Sequence, residues 1–283
     1  MWGGPKRKRP KLRPSGGQLA GSAKIGPVQY QRELDIARTA VLRAGQEALR
    51  LQRGALDIQR KPDHSPVTVA DRLVEQILVE ALLEGFPDDG LLSEEGAQGS
   101  SRSGRRWILD PIDGTRDFAR GSRMWAIFVA LEEAQQIQLG ICHFPAWGET
   151  YWAVSGAGAW CNDRRVHVSR VSDPAQAVLC LNELQRAHAY PFGGRLIEWM
   201  SRFWAVRCAG GCVDAMNVAA GRADIWIDPH AEPWDLAPIK VIVEEAGGRF
   251  LNFDGGSSIY GGNCVLCTPA LEAEVMTFLA GSR

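Results

Sequence analysis

The sequence lacks several features that would assign it to a membrane or a secreted class. No run of eighteen apolar residues occurs in its 283 residues, so we expect no membrane span. The N-terminus is basic but no apolar stretch follows it, which argues against a secretory signal. The seven cysteines are odd in number and scattered, so we expect reduced thiols in a cytoplasmic protein.

The chain also lacks an excess of charge of either sign. Its formal net charge is −1, so the overall balance gives no reason to expect a nucleic acid or an acidic membrane as a partner. With 45% hydrophobic and 23% charged residues, the composition is that of an ordinary globular protein. The length is sufficient for one large domain or for two fused halves.

The first residues differ in composition from the rest. Residues 1–27 are rich in Gly, Pro, Lys and Arg, and Lys6–Lys11 is a basic run of the kind found in import signals and nucleic-acid contacts. Composition favours a disordered, solvated tail, and a wrongly assigned start codon would also explain it. We therefore expect the folded part to begin at Val28.

Beyond the tail, predicted helices and strands alternate. Apolar residues at three- and four-residue steps predict a helix from Val28 that ends at Gly54, and Thr68 is typical of the N-cap of a second helix. Loops are predicted at Gln98–Arg105 and Gly156–Asn162. The remaining patterns predict strands near 91–93, 107–109, 124–131, 138–144, 149–154, 223–227 and 263–267, and helices near 192–200, 212–220 and 235–246. This alternation, without an internal repeat, predicts a layered mixed α/β fold.

The most informative motif is Asp110–Thr115, which follows an apolar strand. Pro111 removes a backbone donor and fixes its own φ, so we expect the chain to turn there. Asp110 and Asp113 can then point to one side, and the Ile112 carbonyl adds a third oxygen. Such a set suits Mg²⁺, Mn²⁺ or Ca²⁺ better than zinc. The structural alternative is a turn that only caps a helix.

The residues after the second acid favour anion binding. Gly114 lets the backbone approach a ligand closely, and the N–H groups that follow can form an anion nest. A rival interpretation is the haloacid-dehalogenase type of phosphatase, which has Asp-x-Asp-Gly-Thr after an apolar strand. The extra residue between Asp110 and Asp113 rotates the second carboxylate, so this alternative is disfavoured.

Three further acidic positions have plausible structural explanations when each is taken alone. Glu94-Glu95 could be a solvated surface pair. Asp71, three residues after Thr68, could be only a first-turn acid, and Asp235 could be only an N-cap. Their order along the chain, together with the Asp110–Thr115 motif, is the stronger observation.

That combination resembles the inositol monophosphatase superfamily of lithium-sensitive, Mg²⁺-dependent phosphatases. The family pattern is an Asp, then Glu-Glu, then Asp-Pro-Ile-Asp-Gly-Thr, then a distant Trp-Asp and a Glu-Ala-Gly-Gly stretch. The corresponding residues here are Asp71, Glu94-Glu95, Asp110–Thr115, Trp234-Asp235 and Glu245–Gly248, with Pro145–Glu149 and Gly156–Asn162 also similar. The resemblance implies a layered α-β-α-β-α sugar-phosphatase-like fold and a homodimer. It also implies a phosphatase domain over 28–283, with an α+β half of about 28–170 and an α/β half of about 171–283.

The resemblance also implies the site residues. Two or three Mg²⁺ ions, with Mn²⁺ as a possible substitute, would be held by Glu94, Asp110, the Ile112 carbonyl, Asp113 and Asp235. Asp235 would also border the substrate.

The remaining roles that the resemblance implies concern the water and the substrate. Asp71 and Thr115, assisted by Glu94, would position and deprotonate a metal-activated water, and the Gly114 and Thr115 N–H groups would hold the phosphate. Asp228 would bind substrate hydroxyls or an amine, although a turn acid beside Pro229 is its structural alternative. No Ser or Cys in the motif is placed like a nucleophile, so we expect direct attack by water without a phosphoenzyme.

Other possible sites are weaker. Cys208 with Cys212, and Cys264 with Cys267, have a loosely zinc-like spacing, but we expect core thiols. His230 precedes Asp235 in a loop and could touch the substrate. The tryptophans are expected in the core and in the pocket lining rather than in nucleic-acid stacking.

The substrate is suggested by departures from the inositol enzymes. Trp234–Lys240, Arg207–Cys212 and Ile227–Pro229 are more similar to the histidinol-phosphate phosphatase branch, so histidinol phosphate is the first expectation and inositol monophosphate the second. A 3′-phosphoadenosine nucleotide or fructose 1,6-bisphosphate is less favoured, because no basic cluster for a second phosphate is evident. The nearby basic residues are Arg116, Arg120 and Arg123. A catalytically inactive binding or regulatory protein is the alternative of a different class.

Overall fold

The computed structural model describes residues 29–54, 58–60 and 66–281, so the predicted tail at 1–27 lies outside it. The described helices are α1 (Gln31–Gln52), α2 (Val69–Gly85), α3 (Thr115–Ala119), α4 (Leu184–Ala187), α5 (Leu196–Met200), α6 (Gly211–Ala219), α7 (Pro233–Glu245) and α8 (Glu272–Ala280). The first strands are β1 (Ile58–Arg60), β2 (Pro66–Thr68), β3 (Gly90–Ser93), β4 (Gln98–Gly99), β5 (Arg105–Asp113), β6 (Ala126–Glu133), β7 (Gln136–Phe144) and β8 (Glu149–Val154). The later strands are β9 (Ala159–Cys161), β10 (Arg164–Val166), β11 (Val178–Leu181), β12 (Ala205–Arg207), β13 (Ile225–Asp228), β14 (Arg249–Leu251) and β15 (Cys264–Cys267).

Two large sheets and three helical layers form the predicted α-β-α-β-α stack. An eight-stranded sheet has the order β10-β9-β8-β7-β6-β5-β3-β4, and a five-stranded sheet has the order β12-β11-β13-β15-β14. Helices α1 and α2 cover the outer face of the larger sheet, α6 and α7 lie between the sheets, and α5 and α8 cover the outer face of the smaller sheet. The mixed α/β fold class predicted from the alternating pattern is confirmed.

Helix α1 follows directly from its apolar period. The face formed by Leu34, Ala37, Val41, Ala44 and Ala48 is completely or almost completely buried. Its small alanines let α1 lie close to α2 and to the sheet, where the tryptophan of β5 is also fully buried. This packing anchors β5, the strand that carries the acidic motif.

The middle layer depends on a glycine in the larger sheet. A Cβ atom on Gly140 would lie 2.7 Å from the Pro238 carbonyl oxygen and 2.5 Å from Val241 Cγ1, so only glycine lets α7 approach β7 so closely. Pro238 lies inside α7 and is buried. The close approach brings the first turn of α7 toward the end of β5.

Three local predictions differ from the structure. The chain does not turn at Pro111, because β5 continues through it to Asp113 with an irregularity between Asp110 and Asp113; a proline is tolerated at such a bulge. The predicted loop Gln98–Arg105 contains β4 and the first residue of β5. The predicted turn region at 156–162 contains β9, whose short apolar segment Ala159–Cys161 pairs with β8.

No helix among residues 29–54 and 66–281 combines the length and the apolar character needed to cross a bilayer.

Candidate active site

Three carboxylates converge where β5 ends and α7 begins. One oxygen from each of Asp110, Asp113 and Asp235 lies within 4.8 Å of the other two. Two of these acids are three residues apart on β5, and the third is separated from them by more than a hundred residues of chain. The structure thus brings together the three carboxylates on which the sequence interpretation most depends.

The backbone after β5 positions the first two acids. The turn occurs at Gly114, which has φ 87° and precedes α3. A Cβ atom there would lie 3.0 Å from the Met124 carbonyl oxygen and 3.4 Å from Trp125 Cα, so a side chain would be both strained and crowded. Gly114 therefore lets the chain reverse beside β6 while Asp113 stays at the mouth of the site.

The third acid is positioned by the first turn of α7. The Asp235 carboxylate accepts a hydrogen bond from the Glu232 N–H at 2.8 Å, and Pro233 occupies the first turn. The N-cap is therefore Glu232, and the alternative that Asp235 is itself the N-cap is wrong by three residues. The capping box fixes the Asp235 side chain against its own helix while it still borders the cluster.

The electrostatics of the cluster favour a bound cation. Asp110 is only 1% exposed; burial, followed by the charges of Glu94, Asp113 and Asp235, raises its pKa well above the ordinary value. Burial likewise raises the pKa of Asp113 to about 6, and burial with the charge of Asp113 raises the pKa of Asp235. Several carboxylates so close together repel one another unless protons or a cation neutralise them.

The donor set fits a hard divalent cation. Asp110 Oδ1 is a buried oxygen without a hydrogen-bond partner among the described residues. A hydrogen bond between the Glu94 and Asp110 carboxyl groups requires a proton on one of them, and a cation can replace that proton. The ligands are oxygens only, which Mg²⁺ and Mn²⁺ prefer, and buried orphan acceptors of this kind are uncommon in structures.

Glu94 reaches the same place from the neighbouring strand. Its N–H donates to the Leu109 carbonyl at 3.2 Å, which extends the parallel pairing of β3 with β5 into the site. Its charge raises the pKa values of Asp71, Asp110, Asp113 and Asp235. Glu94 and Glu95 are both half-buried, so the alternative of a solvated surface pair is wrong.

Asp71 and Thr115 form a separate arrangement beside the cluster. Asp71 is fully buried, and its Oδ2 accepts the Thr68 N–H at 2.7 Å and the Thr68 hydroxyl at 2.6 Å. Its Oδ1 lies 3.3 Å from Thr115 Oγ1, which also lies 3.0 Å from the Ile112 carbonyl. Because Thr115 has one hydroxyl proton, it donates to only one of these oxygens at a time. Burial raises the pKa of Asp71, which makes it a stronger base.

A cavity of about 490 Å³ opens above the carboxylates, and Asp228 lies in its wall. Asp228 is 4% exposed and accepts hydrogen bonds from Asn182 Nδ2 at 2.9 Å and the His230 N–H at 3.1 Å. Burial raises the pKa of Asp228 to about 7. The cavity is lined by seven carboxylic acids and two arginines, so its surface is strongly acidic.

Some residues at the site escaped the sequence interpretation. The N–H of Cys212, at the start of α6, donates to Asp113 Oδ2 at 3.2 Å, and Asn182 and Glu183 also line the cavity. The feature that distinguishes Glu183 is its φ of 44°, and a backbone angle cannot be read from the sequence. The contact at Cys212 is made by its backbone N–H group, so no pattern of side chains predicts it.

Other predicted elements lie away from the cluster. Glu245, in the Glu-Ala-Gly-Gly stretch, accepts the Gly156 and Gly158 N–H groups at 2.7 Å each, so it clamps the turn between β8 and β9. Arg123 donates to the Ala146 carbonyl. Cys212, Cys264 and Cys267 are buried, as predicted, but Cys208 is exposed, so the prediction of a core thiol is wrong there because the chain leaves β12 at that residue.

The same assembly of elements occurs in a known family. A model of the inositol monophosphatase family matches residues 29–280. The chain belongs to this family. Its members are metal-dependent phosphatases, which agrees with the acidic cluster found here.

Individual relatives match most of this chain. A histidinol-phosphatase from Chlorobaculum parvum is 39% identical over 210 residues, which are 74% of this chain and 81% of the relative. A histidinol-phosphatase from Mycobacterium tuberculosis is 38% identical over 240 residues, which are 82% of this chain and 92% of the relative. The solved structure of a Thermotoga maritima IMPase has a TM-score of 0.79 at 30% identity and covers 88% of this chain and 97% of that chain.

This protein is therefore a phosphatase, which is a hydrolase of phosphoric monoesters. It acts on a small phosphorylated substrate. Both the fold and the acidic cluster agree with that class.

Proposed function

We propose that this protein is a Mg²⁺-dependent phosphomonoesterase that hydrolyses L-histidinol phosphate. The observation that carries the phosphatase chemistry is the convergence of Asp110, Asp113 and Asp235, together with the buried Asp110 Oδ1, which has no hydrogen-bond partner among the described residues. The second candidate substrate is inositol monophosphate, which the similarity to the Thermotoga maritima IMPase favours.

The metal site is formed by residues from three elements. Glu94, Asp110, Asp113, Asp235 and the Ile112 carbonyl are the proposed ligands for two or three Mg²⁺ ions, with Mn²⁺ able to substitute. Bound Mg²⁺ supplies charge neutralisation for the phosphoryl oxygens and lowers the pKa of water. The Gly114 and Thr115 N–H groups, at the turn after β5, are the proposed donors to the phosphate, which Asp235 also borders.

Asp71 and Thr115 are the proposed route for the proton of the attacking water. Asp71 Oδ2 is fully occupied by Thr68, so its Oδ1 is the oxygen left to face Thr115. When Thr115 donates to Asp71 Oδ1, its own lone pairs can accept a proton from a water in the cavity. The raised pKa of Asp71 suits a general base, and Glu94 is the carboxylate that would assist it. No covalent intermediate on the protein is part of this scheme.

The wall of the cavity favours a substrate that carries an amine. The ionised Asp228 carboxylate, held by Asn182 and the His230 N–H, would pair with an ammonium group. The His230 and Trp234 side chains line the same cavity and offer flat surfaces for an imidazole ring. The 38–39% identity to two histidinol-phosphatases supports this choice.

Three further expectations from the sequence stay predictions. They are the division into two halves, a cytoplasmic location and a homodimer. Two large apolar side chains, Ile197 and Trp204, are 75% and 66% exposed and lie in or next to α5, where a second copy could cover them.

A panel of phosphorylated metabolites with Mg²⁺ tests the proposal. We expect kcat/KM for histidinol phosphate to exceed that for inositol monophosphate by about tenfold or more, since one well-made ionic contact is enough for such a ratio. EDTA should abolish turnover. An Asp110→Asn variant, which keeps the side-chain shape, should fold normally and lose most activity.

The panel of phosphorylated metabolites distinguishes the proposed substrate from its alternatives. A higher kcat/KM for inositol monophosphate would replace the first substrate by the second. Absence of Mg²⁺-stimulated turnover on every phosphomonoester, in a folded sample, would favour the inactive binding or regulatory protein instead.

A further inference from the structure

The two arginines that line the cavity are both held by one glutamate. Arg116 Nη1 donates to Glu183 Oε1 at 3.2 Å, and Arg186 Nε donates to Glu183 Oε2 at 3.0 Å. Gln185 donates to the same carboxylate. No other arginine and no lysine is among the described side chains that line this cavity. Both guanidinium groups that line the cavity therefore already have a carboxylate partner.

The glutamate is fixed more firmly than its partners. Glu183 has φ 44° and ψ 43°, a left-handed conformation that is strained for a residue with a side chain. Its side chain is 16% exposed, whereas those of Arg116 and Arg186 are 67% and 51% exposed. The strained backbone thus holds a carboxylate at the cavity wall, and two arginines reach it from the solvent side.

Stability does not account for this arrangement. Ion pairs with a largely exposed partner contribute little to the free energy of folding. A strained backbone that places a charge at a functional cavity is more often explained by what the charge does there. The neighbouring Asn182 also bonds to Asp228, so the two acids of the wall are positioned by adjacent residues.

We infer that Glu183 is a specificity-determining residue that excludes substrates carrying a second phosphate. Glu183 binds both Arg116 and Arg186, so neither guanidinium group is left without a carboxylate partner in this wall. A second phosphate is recognised by unpaired, bidentate guanidinium groups, and the wall offers none. The inference rests on the proposed function in taking this cavity as the substrate site.

Glu183→Gln isolates the charge, because glutamine keeps the length of the side chain and can still accept a hydrogen bond. The measured quantity is the ratio of kcat/KM for fructose 1,6-bisphosphate to kcat/KM for inositol monophosphate. We expect the ratio to rise about tenfold in Glu183→Gln, mainly through KM, as two guanidinium groups are released. The rise should shrink at high salt.

Two comparison proteins separate specificity from structural damage. Glu198→Gln removes one negative charge from the exposed surface of α5, outside the cavity, and should leave the ratio as in the wild type. The double variant Glu183→Gln/Arg116→Gln should lose most of the gain. A ratio in Glu183→Gln within twofold of the wild type, or an equal rise in Glu198→Gln, would overturn the inference.

A binding experiment without turnover keeps this inference separate from the proposed function. Calorimetry with Mg²⁺ compares butane bisphosphonate, whose C–P bonds are not hydrolysed, with butylphosphonate. Glu183→Gln should bind the bisphosphonate about tenfold more tightly than the wild type does, relative to the monophosphonate. If the wild type hydrolyses no phosphomonoester, the proposed function fails, but this binding comparison still decides the role of Glu183. Equal affinities of the wild type and Glu183→Gln for the bisphosphonate, relative to the monophosphonate, would refute that role.

Discussion

The N-termini of α2 and α7 share one local design and place an acid at the same helical position. In α2, Asp71 Oδ2 accepts the Thr68 N–H at 2.7 Å; in α7, Asp235 Oδ2 accepts the Glu232 N–H at 2.8 Å. Both helices therefore have a capping box, with an aspartate three residues after the N-cap. Each aspartate has one oxygen fixed by its own helix and also takes part in the site.

The two aspartates have different neighbours at the site. Asp71 Oδ1 faces the Thr115 hydroxyl, whereas Asp235 lies in the cluster with Asp110 and Asp113. A hydroxyl neighbour favours proton transfer, and carboxylate neighbours favour a shared cation. The capping box therefore fixes the direction of a carboxylate, while residues distant in sequence determine its chemistry. An acid can thus cap a helix and also serve the site.

The largest expected effect is that of Asp235→Asn. Asparagine can still accept the Glu232 N–H, so the helix cap survives, but the cluster loses one negative charge. We expect kcat/KM to fall about 10³-fold or more, and the Mg²⁺ concentration for half-maximal activity to rise at least about tenfold. A Mg²⁺ titration of initial rates measures both. Near-normal turnover with an unchanged Mg²⁺ requirement would show that Asp235 is only a structural acid.

Asp71→Asn should have the second-largest effect and a different signature. Loss of a general base lowers kcat by about 10²–10³-fold. Because Asp71 faces a hydroxyl rather than the cluster, the Mg²⁺ concentration for half-maximal activity should stay within about threefold of that of the wild type. The same Mg²⁺ titration is the measurement. If Asp71→Asn raised the Mg²⁺ concentration for half-maximal activity as much as Asp235→Asn does, the two aspartates would not have different roles.

A third acid, the buried Asp228, extends the comparison to an acid outside any capping box. Its pKa is raised to about 7 by burial, so the carboxyl is protonated at pH 5 and ionised at pH 9. Only the ionised form attracts an ammonium group. The ratio of kcat/KM for histidinol phosphate to that for inositol monophosphate should therefore rise with pH through about 7 and then level off.

Asp228→Asn is the control for this pH profile. We expect it to lower the ratio about tenfold at pH 8 and to remove its pH dependence. Using the ratio cancels groups that affect both substrates equally. A pH dependence that persists in Asp228→Asn would assign the titration to another group.

The smallest expected effect is that of Thr68→Ala. Removing the N-cap should destabilise the protein by about 1 kcal/mol and lower Tm by about 2–4 °C. Activity should also fall, because Asp71 Oδ2 loses its hydroxyl donor and Oδ1 is less well held toward Thr115. Thr39→Ala, on the exposed face of α1, is the matched control and should change stability by less than about 0.5 kcal/mol. Equal effects of the two substitutions would contradict the role of this cap.

Features fixed by local physics could be predicted from the sequence. The buried face of α1 follows from its period, and Thr68 is a preferred N-cap residue that the structure confirms. Glu232 was not predictable as a cap, because glutamate is not among the preferred N-cap residues. The proline in Asp110–Asp113 predicts a turn, but pairing with β6 keeps the strand extended and the proline lies at a bulge.

Features that depend on distant contacts could not be predicted from local patterns. Asp71 and Thr115 are 44 residues apart, and Asp113 and Cys212 are 99 residues apart. The sequence around each residue does not predict its distant partner. The convergence of the acidic residues is therefore predicted only from the order of motifs shared with a known family. The left-handed Glu183, for the same reason, had no sequence signal.

The most direct test of the account is anomalous diffraction from crystals soaked in millimolar Mn²⁺. We expect at least one anomalous peak in direct contact with carboxylate oxygens of Asp110, Asp113 and Asp235. Crystals that show no peak there, or that bind Mn²⁺ only elsewhere, would contradict the claim that these acids converge to hold the cation that drives phosphate ester hydrolysis.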